Sequence, residues 1–140
     1  MKKLFLLSVA LIMMLGGISC NAQETKKQEM KTVASGKVEV YYFHFTRRCM
    51  TCNAVEAEAK KAVAALYPKL VKSGKISFRV LNLDESTSQS AAKECGAEGQ
   101  SLLVIGSGKR IDLTSEGFMY AISNPEKLKA ELKKAIDPLI

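Results

Sequence analysis

Two cysteines two residues apart, Cys49 and Cys52, are the residues of this chain best suited to do chemistry. They follow an apolar, aromatic run that ends in Arg47 and Arg48, and they precede a segment with helical periodicity. The thiolate is the nucleophile of cysteine chemistry, and a helix N-terminus beside cations lowers a thiol pKa. Cys49 is therefore the predicted nucleophile, with Arg47 and Arg48 stabilising its thiolate. Cys52, one turn inside the helix, would attack a mixed disulfide formed at Cys49.

The same cysteine spacing occurs in inert disulfides and in metal sites, and the rest of the chain helps to separate these uses. A structural zinc site needs four ligands, but the chain has one histidine, His44, and no second Cys-x-x-Cys. The stretch Met50-Thr51-Cys52 resembles a copper-binding loop that requires a further cysteine, where this chain has Val55. Redox or thiol-binding use is favoured, and an inert local disulfide remains the alternative.

Three further side chains each have two interpretations. His44 is either a strand residue with a satisfied ring, which we favour, or a proton shuttle near the thiols. Cys95 is more typical of a small buried hydrophobe than of a third redox thiol. Glu56, one turn past the second cysteine, would pair with Arg47 or Arg48, or would be solvated.

Hydrophobic periodicity places the cysteine pair between a strand and a helix. Residues 37–45 are largely β-branched or aromatic, and apolar on both faces, which is typical of a central strand covered on both sides. Residues 53–72 repeat apolar side chains at three- and four-residue steps, which predicts a helix. Pro68 should kink that helix or end it early.

The remaining elements predict an α/β fold with a mixed four-stranded sheet and helices on both faces. A long helix between the first two strands makes them parallel, and a glycine-rich turn over 106–108 makes the last two an antiparallel hairpin. Gly96 is well placed to stop a short, Ser-capped helix. The elements are a strand over 75–82, a helix over 86–94, strands over 102–105 and 110–113, and a helix that starts at 123–126.

Residues 1–20 have the features of a secretory signal peptide. The apolar run over 4–15 follows two lysines and is shorter than the roughly 20 residues that a membrane-spanning helix needs. Small residues that end in Cys20 are typical of a lipoprotein signal, in which that cysteine is lipidated, and ordinary cleavage after Ala22 is the alternative. Residues 21–36 are polar and without periodicity, which predicts a disordered tether.

Composition indicates an ordinary globular domain over residues 37–140. The chain of 140 residues is 47% hydrophobic and 25% charged, and it is long enough to bury a core without disulfide staples. Its net charge is +7, of which +5 remains without the two lysines of the signal. These charges are spread along the chain with no aromatic-basic motif, so a solvated basic surface is favoured over nucleic-acid binding.

In this order of elements, with Cys-x-x-Cys at the first strand-to-helix junction and a proline-kinked helix after it, residues 37–140 resemble the thioredoxin-like superfamily. The segment 95–105 also looks like the entry to the third strand of thioredoxins. The stretch 41–52 followed by Glu56 is similar to small exported bacterial thioredoxin-like proteins, some labelled as subunits of nitrophenyl-compound nitroreductase systems. The resemblance implies a thioredoxin-like fold and thiol chemistry without a cofactor.

Two positions depart from the thioredoxin pattern. Thioredoxins carry a cis-proline just before the third strand, where this chain has Ser101, so Ser101 is the predicted substrate-groove residue. They also bury a carboxylate six residues before the first cysteine, where this chain has Phe43. The resemblance therefore leaves Cys52 without the usual proton acceptor and leaves general disulfide reduction less secure than the fold.

These features predict an exported thiol-disulfide oxidoreductase of the bacterial cell envelope, tethered to the membrane by a lipid at Cys20. It would exchange a disulfide with a protein redox partner, with no metal, cofactor or nucleic acid. The alternative is a non-enzymatic thiol module that binds a soft metal or metalloid, or a subunit of a larger reductase, which the loss of proline at Ser101 favours. A purely structural scaffold would survive replacement of Cys49 and Cys52 unchanged.

Overall fold

The computed structural model describes residues 36–140. The predicted signal peptide, its Cys20 and all but the last residue of the predicted tether lie outside the described residues. No helix within 36–140 is both long and apolar enough to cross a membrane. The elements are β1 (Val38–His44), α1 (Met50–Leu66), α2 (Pro68–Lys72), β2 (Ile76–Asn82), α3 (Ser86–Cys95), β3 (Ser101–Gly106), β4 (Lys109–Asp112), α4 (Thr114–Tyr120), α5 (Pro125–Ile136) and a 3₁₀ turn (Asp137–Leu139).

The four strands form one mixed sheet in the order β2-β1-β3-β4. β1 runs parallel to β2, and β3 and β4 form an antiparallel hairpin, as the sequence predicted. β1 also pairs antiparallel with β3. At the carboxyl end of β1, Phe43 pairs with Leu81 on one side and with Ser101 on the other. The end of the central strand, where the cysteines follow, is therefore flanked by the end of β2 and the start of β3.

The sheet is covered on both faces because β1 is apolar on both faces. Val40 and Tyr42 belong to the larger core cluster, which includes buried residues of α1 and α5. Tyr41 and Phe43 belong to a second cluster, with buried residues of α3. All four side chains are fully buried, which confirms the prediction of a central strand covered on both sides.

Proline and glycine end the elements where the sequence predicted. α1 stops at Leu66, Tyr67 leaves the helical conformation, and Pro68 is the first residue of α2. The Tyr67 hydroxyl donates to Asp137 Oδ1 at 2.5 Å, which ties this break to the end of the chain. Gly96 ends α3 in the left-handed conformation at φ 65°.

Three local predictions differ from the structure. α1 begins at Met50 rather than at Asn53. The residue before α3 is Glu85, and no side chain caps this helix. The hairpin turn has two central residues, Ser107 and Gly108, both with positive φ, because such a turn matches the twist of the strands it joins.

α4 was not predicted. Its seven residues include a glycine and are too few to show a helical period, so local sequence carries little signal for it. Gly117 explains how α4 fits: a Cβ there would lie 3.1 Å from Val55 of α1 and 3.3 Å from Leu102 of β3. Because α4, α1 and β3 approach so closely here, only a glycine fits without displacing a neighbour. α4 therefore packs beside α1.

Candidate functional site

The protein has a thioredoxin-like fold. Its element order, its parallel first pair and its final hairpin are those that the sequence resemblance implied, and the strands lie in the order β2-β1-β3-β4. Its Cys-x-x-Cys follows the central strand and opens α1. Cys49 and Cys52 form a disulfide, with sulfurs 2.04 Å apart and Cα atoms 5.0 Å apart. Cys49 is exposed and Cys52 is 4% exposed, so the first cysteine of the pair is open to solvent and the second is buried.

Cys49 is the N-cap of α1. Its backbone is extended, at φ −80° and ψ 166°, and its sulfur accepts a hydrogen bond from the Cys52 amide at 3.1 Å. Its carbonyl accepts from the Asn53 amide at 3.1 Å, which begins the helical hydrogen-bond pattern. The first amides of a helix and its dipole stabilise negative charge. The exposed sulfur therefore sits where a thiolate is favoured.

The two arginines before Cys49 differ in their surroundings. Arg47 is exposed, and no carboxylate within residues 36–140 pairs with it. Arg48 is partly buried, forms an ion pair with Glu56, and lies over the Tyr42 ring with its Cζ 5.7 Å from the ring centroid. Stabilisation of the Cys49 thiolate by both arginines stays a prediction, and the geometry places the two charges in unlike settings.

Tyr42 is a site residue that the sequence reasoning missed. Its buried hydroxyl donates to the Cys52 carbonyl at 2.8 Å and accepts from Gln100 Nε2 at 2.9 Å. Burial raises the pKa of this phenol, an effect that hydrogen bonds with Gln100 and Arg48 partly offset. The sequence did carry a signal for it: a tyrosine lies inside a strand predicted to be buried on both faces. A buried phenol needs a hydrogen-bond partner, which would have pointed to polar groups beside this residue.

Phe43 lies on the other face of the sheet. It is fully buried in the cluster below α3, and its ring stacks on Tyr41 at 5.6 Å. Tyr42, one residue earlier, is the β1 side chain that reaches the cysteine turn. A neutral phenol thus contacts the backbone of Cys52 from below.

Ser101 begins β3 and is 7% exposed. Its hydroxyl donates to the Gly99 carbonyl at 2.7 Å, and no peptide bond within residues 36–140 is cis. A shallow cleft of about 340 Å³ is lined by Ser101, Gln100, Arg110 and Asp112, among others. Gln100, which lines this cleft, also donates to the Tyr42 hydroxyl. The substrate-groove role of Ser101 stays a prediction.

The other three side chains singled out by sequence have defined places. His44 Nδ1 lies 2.9 Å from the Phe45 carbonyl, in keeping with a satisfied strand residue. Cys95 is fully buried in the cluster below α3, as expected of a small buried hydrophobe. Glu56 pairs with Arg48, one of its expected partners. Over the described part of the chain, no three His, Cys, Asp or Glu side chains cluster to hold a metal ion.

Two large apolar side chains are exposed close to Cys49 in the chain. Phe45, four residues before it, is 43% exposed, and Met50, directly after it, is 81% exposed. Contiguous exposed apolar patches mark contact surfaces, while apolar side chains exposed singly are common on protein surfaces. The exposed sulfur is therefore flanked in sequence by apolar groups and by the positive charge of Arg47.

No protein family and no curated protein matches the chain. Among solved structures, one described as a malarial protein is 21% identical, with a TM-score of 0.46, and covers 71% of this chain and 98% of its own. The thioredoxin of Fasciola hepatica is 19% identical, with a TM-score of 0.45, over 72% of this chain and 83% of its own. Similarities this distant say nothing about activity.

The arrangement is that of a thiol-disulfide module. An exposed cysteine at a helix N-terminus and a buried cysteine one turn later can pass between a disulfide and a dithiol. The Tyr42 hydroxyl contacts Cys52 through its backbone carbonyl, while Cys49 is exposed.

Proposed function

We propose that the protein is a thiol-disulfide oxidoreductase that exchanges electrons with a protein partner through Cys49 and Cys52. The observation that carries this proposal is the unequal exposure of the two cysteines at the start of α1. Exchange needs one sulfur that a partner can reach and a second that only the first can reach. The helix N-terminus supplies the electrostatic setting that the reachable sulfur requires.

In the reducing direction the exchange takes two steps. The Cys49 thiolate attacks a partner disulfide, forms a mixed disulfide and releases one partner thiolate, which takes up a proton. Cys52 loses its proton and attacks the Cys49 sulfur, which forms the internal disulfide and releases the second partner thiolate. Two electrons pass to the partner, and the oxidising direction is the reverse.

The partner is proposed to be a protein rather than a small molecule. Exposed apolar groups at Phe45 and Met50, with the charge of Arg47 between them in sequence, suit contact with a protein surface better than the enclosure of a small ligand. The resemblance to exported proteins labelled as subunits of nitroreductase systems makes a larger reductase one candidate partner.

Reduction of insulin disulfides by the wild type tests this proposal, with dithiothreitol as the electron source and its uncatalysed rate subtracted. With dithiothreitol we expect catalysis by the wild type and none by Cys49→Ser. Cys52→Ser, reduced beforehand and mixed with insulin after dithiothreitol is removed, should form a trapped mixed disulfide that is visible on a non-reducing gel. A wild type that neither reduces a protein disulfide nor oxidises a protein dithiol, even though its own pair cycles with dithiothreitol, contradicts the proposal.

We propose further that the protein is exported and held at the bacterial membrane by a lipid on Cys20. The support is the sequence alone: a short apolar segment after two lysines, then small residues and a cysteine. Cells that express the full chain, labelled with a fatty acid, should show label on the wild type and none on Cys20→Ala. Label on neither chain, or recovery of the wild type in a soluble fraction, would refute the anchor.

A second use is favoured by Ser101, which stands where thioredoxins carry a cis-proline. Without that proline, the reduced pair could bind a soft metal such as Cu(I) through its two sulfurs. Titration of the reduced protein with Cu(I), in competition with a chelator, tests this use. Binding weaker than micromolar argues against it, and binding that is unchanged in Cys49→Ser argues that the metal sits elsewhere.

A further inference from the structure

The ion pair between Arg48 and Glu56 lies beside the second cysteine. Glu56 is four residues after Cys52 on α1, and helical residues four apart are neighbours on one face. Helical side chains lean toward the N-terminus, so Glu56 covers the turn that holds Cys52. The ion pair shows how far the carboxylate reaches, because Arg48 precedes the whole helix.

Arg48 is held in this place by several contacts. Besides the ion pair, its guanidinium lies over the ring of Tyr42, whose hydroxyl bonds to Cys52. Its Nε is buried without a hydrogen-bond acceptor. A buried donor without a partner is unfavourable for the folded state. The contacts with Glu56 and Tyr42 must offset that cost. Without them the Arg48 side chain could extend into water, because Cys49, the next residue, is exposed.

The neighbouring Arg47 has none of these contacts and is exposed. The two arginines are adjacent in sequence, so their difference comes from Glu56 and Tyr42 rather than from their place in the chain. A cation paired with a carboxylate also stabilises a nearby anion less than an unpaired cation does.

We propose that Glu56 is a positioning residue that restrains Arg48 beside Tyr42 and neutralises its charge, so that Arg47 alone supports the Cys49 thiolate. The proposal rests on the proposed function and deepens it, because it concerns the electron-donating strength of the same pair. A less stabilised thiolate disfavours the reduced form, so Glu56 keeps the Cys49–Cys52 pair a stronger reductant than it would otherwise be.

The test measures the pKa of Cys49 in the reduced protein, from the pH dependence of its alkylation rate followed by mass spectrometry. Glu56→Gln keeps the size of the side chain and removes its charge. We expect the Cys49 pKa to fall by about one unit, because an unpaired cation would then stand near the thiolate. The equilibrium with glutathione should shift in the same variant toward the dithiol.

Glu58→Gln is the matched control. Glu58 lies on the same helix, pairs with Lys61 at 3.6 Å, and has a side chain 27% exposed against 26% for Glu56. It should leave the Cys49 pKa and the glutathione equilibrium unchanged. Equal shifts in Glu56→Gln and Glu58→Gln, or no shift in either, would overturn the proposal.

Measuring Glu56→Gln again in an Arg48→Met variant distinguishes two effects of Glu56. One is its restraint of the Arg48 side chain, and the other is the direct effect of its own charge on Cys49. With Arg48→Met, which keeps the apolar stem, Glu56→Gln should lower the Cys49 pKa clearly less than it does in the wild type. An equal fall in both backgrounds would show that Glu56 acts by its own charge and would overturn the restraint. These measurements need no protein partner, so failure to reduce insulin contradicts the proposed function and leaves this inference standing.

Discussion

Two cysteines of this protein lie at opposite ends of helices, and the contrast explains which of them is suited to react. Cys49 caps the N-terminus of α1, is exposed, and accepts a backbone hydrogen bond at its sulfur. Cys95 is the last residue of α3 and is fully buried among Tyr41, Phe43 and other apolar side chains. The positive end of a helix dipole favours a thiolate, while its negative end and apolar surroundings disfavour one.

The two faces of the sheet extend this contrast. Below α1, the core cluster borders a polar group. Tyr42 bonds to the Cys52 carbonyl and to Gln100, and Arg48 lies over the Tyr42 ring and pairs with Glu56. Below α3, the corresponding cluster is apolar at the level of Phe43. Adjacent residues of β1 thus face a chemical site and a structural core, because side chains of a strand alternate between its faces.

The largest expected effect is complete loss of exchange. Cys49→Ser should reduce insulin no faster than the uncatalysed rate, because it removes the only exposed sulfur of the pair. Cys95→Ala should keep most of the wild-type rate, since that thiol lies on the other face of the sheet. A Cys95→Ala variant as inactive as Cys49→Ser, while still folded by circular dichroism, would break the contrast between the two cysteines.

The next effect is on alkylation of the fully reduced wild type. Iodoacetamide should modify Cys49 at least on the order of a hundredfold faster than Cys95, because a buried thiol reacts only when its surroundings open. Mass spectrometry of peptides from a time course measures both rates in one sample. In denaturant the rates should converge. Comparable rates in the folded protein would mean that the core below α3 opens readily.

Substitution of Cys95, which should hardly change the exchange rate, should change the stability of the fold. Cys95→Ser should lower the free energy of unfolding by about 1–3 kcal/mol, because it places a hydroxyl in an apolar cluster. Urea denaturation of the oxidised protein, followed by circular dichroism, measures the change. The matched variant Cys95→Ala removes the sulfur without adding a polar group and should differ from Cys95→Ser by the cost of the hydroxyl. Unchanged stability in both variants would contradict close packing there.

Removal of one hydroxyl tests the polar group below α1. Tyr42→Phe should lower the free energy of unfolding by about 1–2 kcal/mol, because it removes the bond to the Cys52 carbonyl and leaves the Gln100 amide without this acceptor. Replacing Phe43 by Tyr, on the other face, should destabilise by forcing a hydroxyl into the apolar cluster. If Tyr42→Phe is neutral in denaturation, the hydrogen bonds at this site contribute no net stability.

The smallest effect is a pH dependence at the loop before Cys49. Hydrogen bonds from Thr46, chiefly from its amide at 2.7 Å, hold the pKa of Asp84 below its ordinary value. A lowered pKa in the folded state stabilises the fold above the unfolded pKa of about 3.9, and that stabilisation is lost as pH falls below it. Asp84→Asn should therefore weaken the acid dependence of the melting temperature and change it little near neutral pH. If the melting temperature of Asp84→Asn falls with acid as steeply as that of the wild type, Asp84 does not contribute to the pH dependence of stability.

Much of the fold could be predicted because its signals are local. The double-sided apolar run of β1, the helical period after it, Pro68 and the glycine turn each depend on residues close together in sequence. The same signals placed Cys49 and Cys52 at the junction of a strand and a helix. α4 was not predicted, since its seven residues are positioned by Val55 and Leu102 rather than by their own pattern.

The sequence by itself determined which residues can do chemistry: a cysteine pair at the start of a helix after a central strand, with two arginines before it. Only the tertiary structure decided how those residues differ. It separates Arg47 from Arg48 through Glu56, and it joins Tyr42 to Gln100 across 58 positions of the chain. Such contacts depend on the packing of β1, β3 and α1 against one another, and no local period or spacing records them.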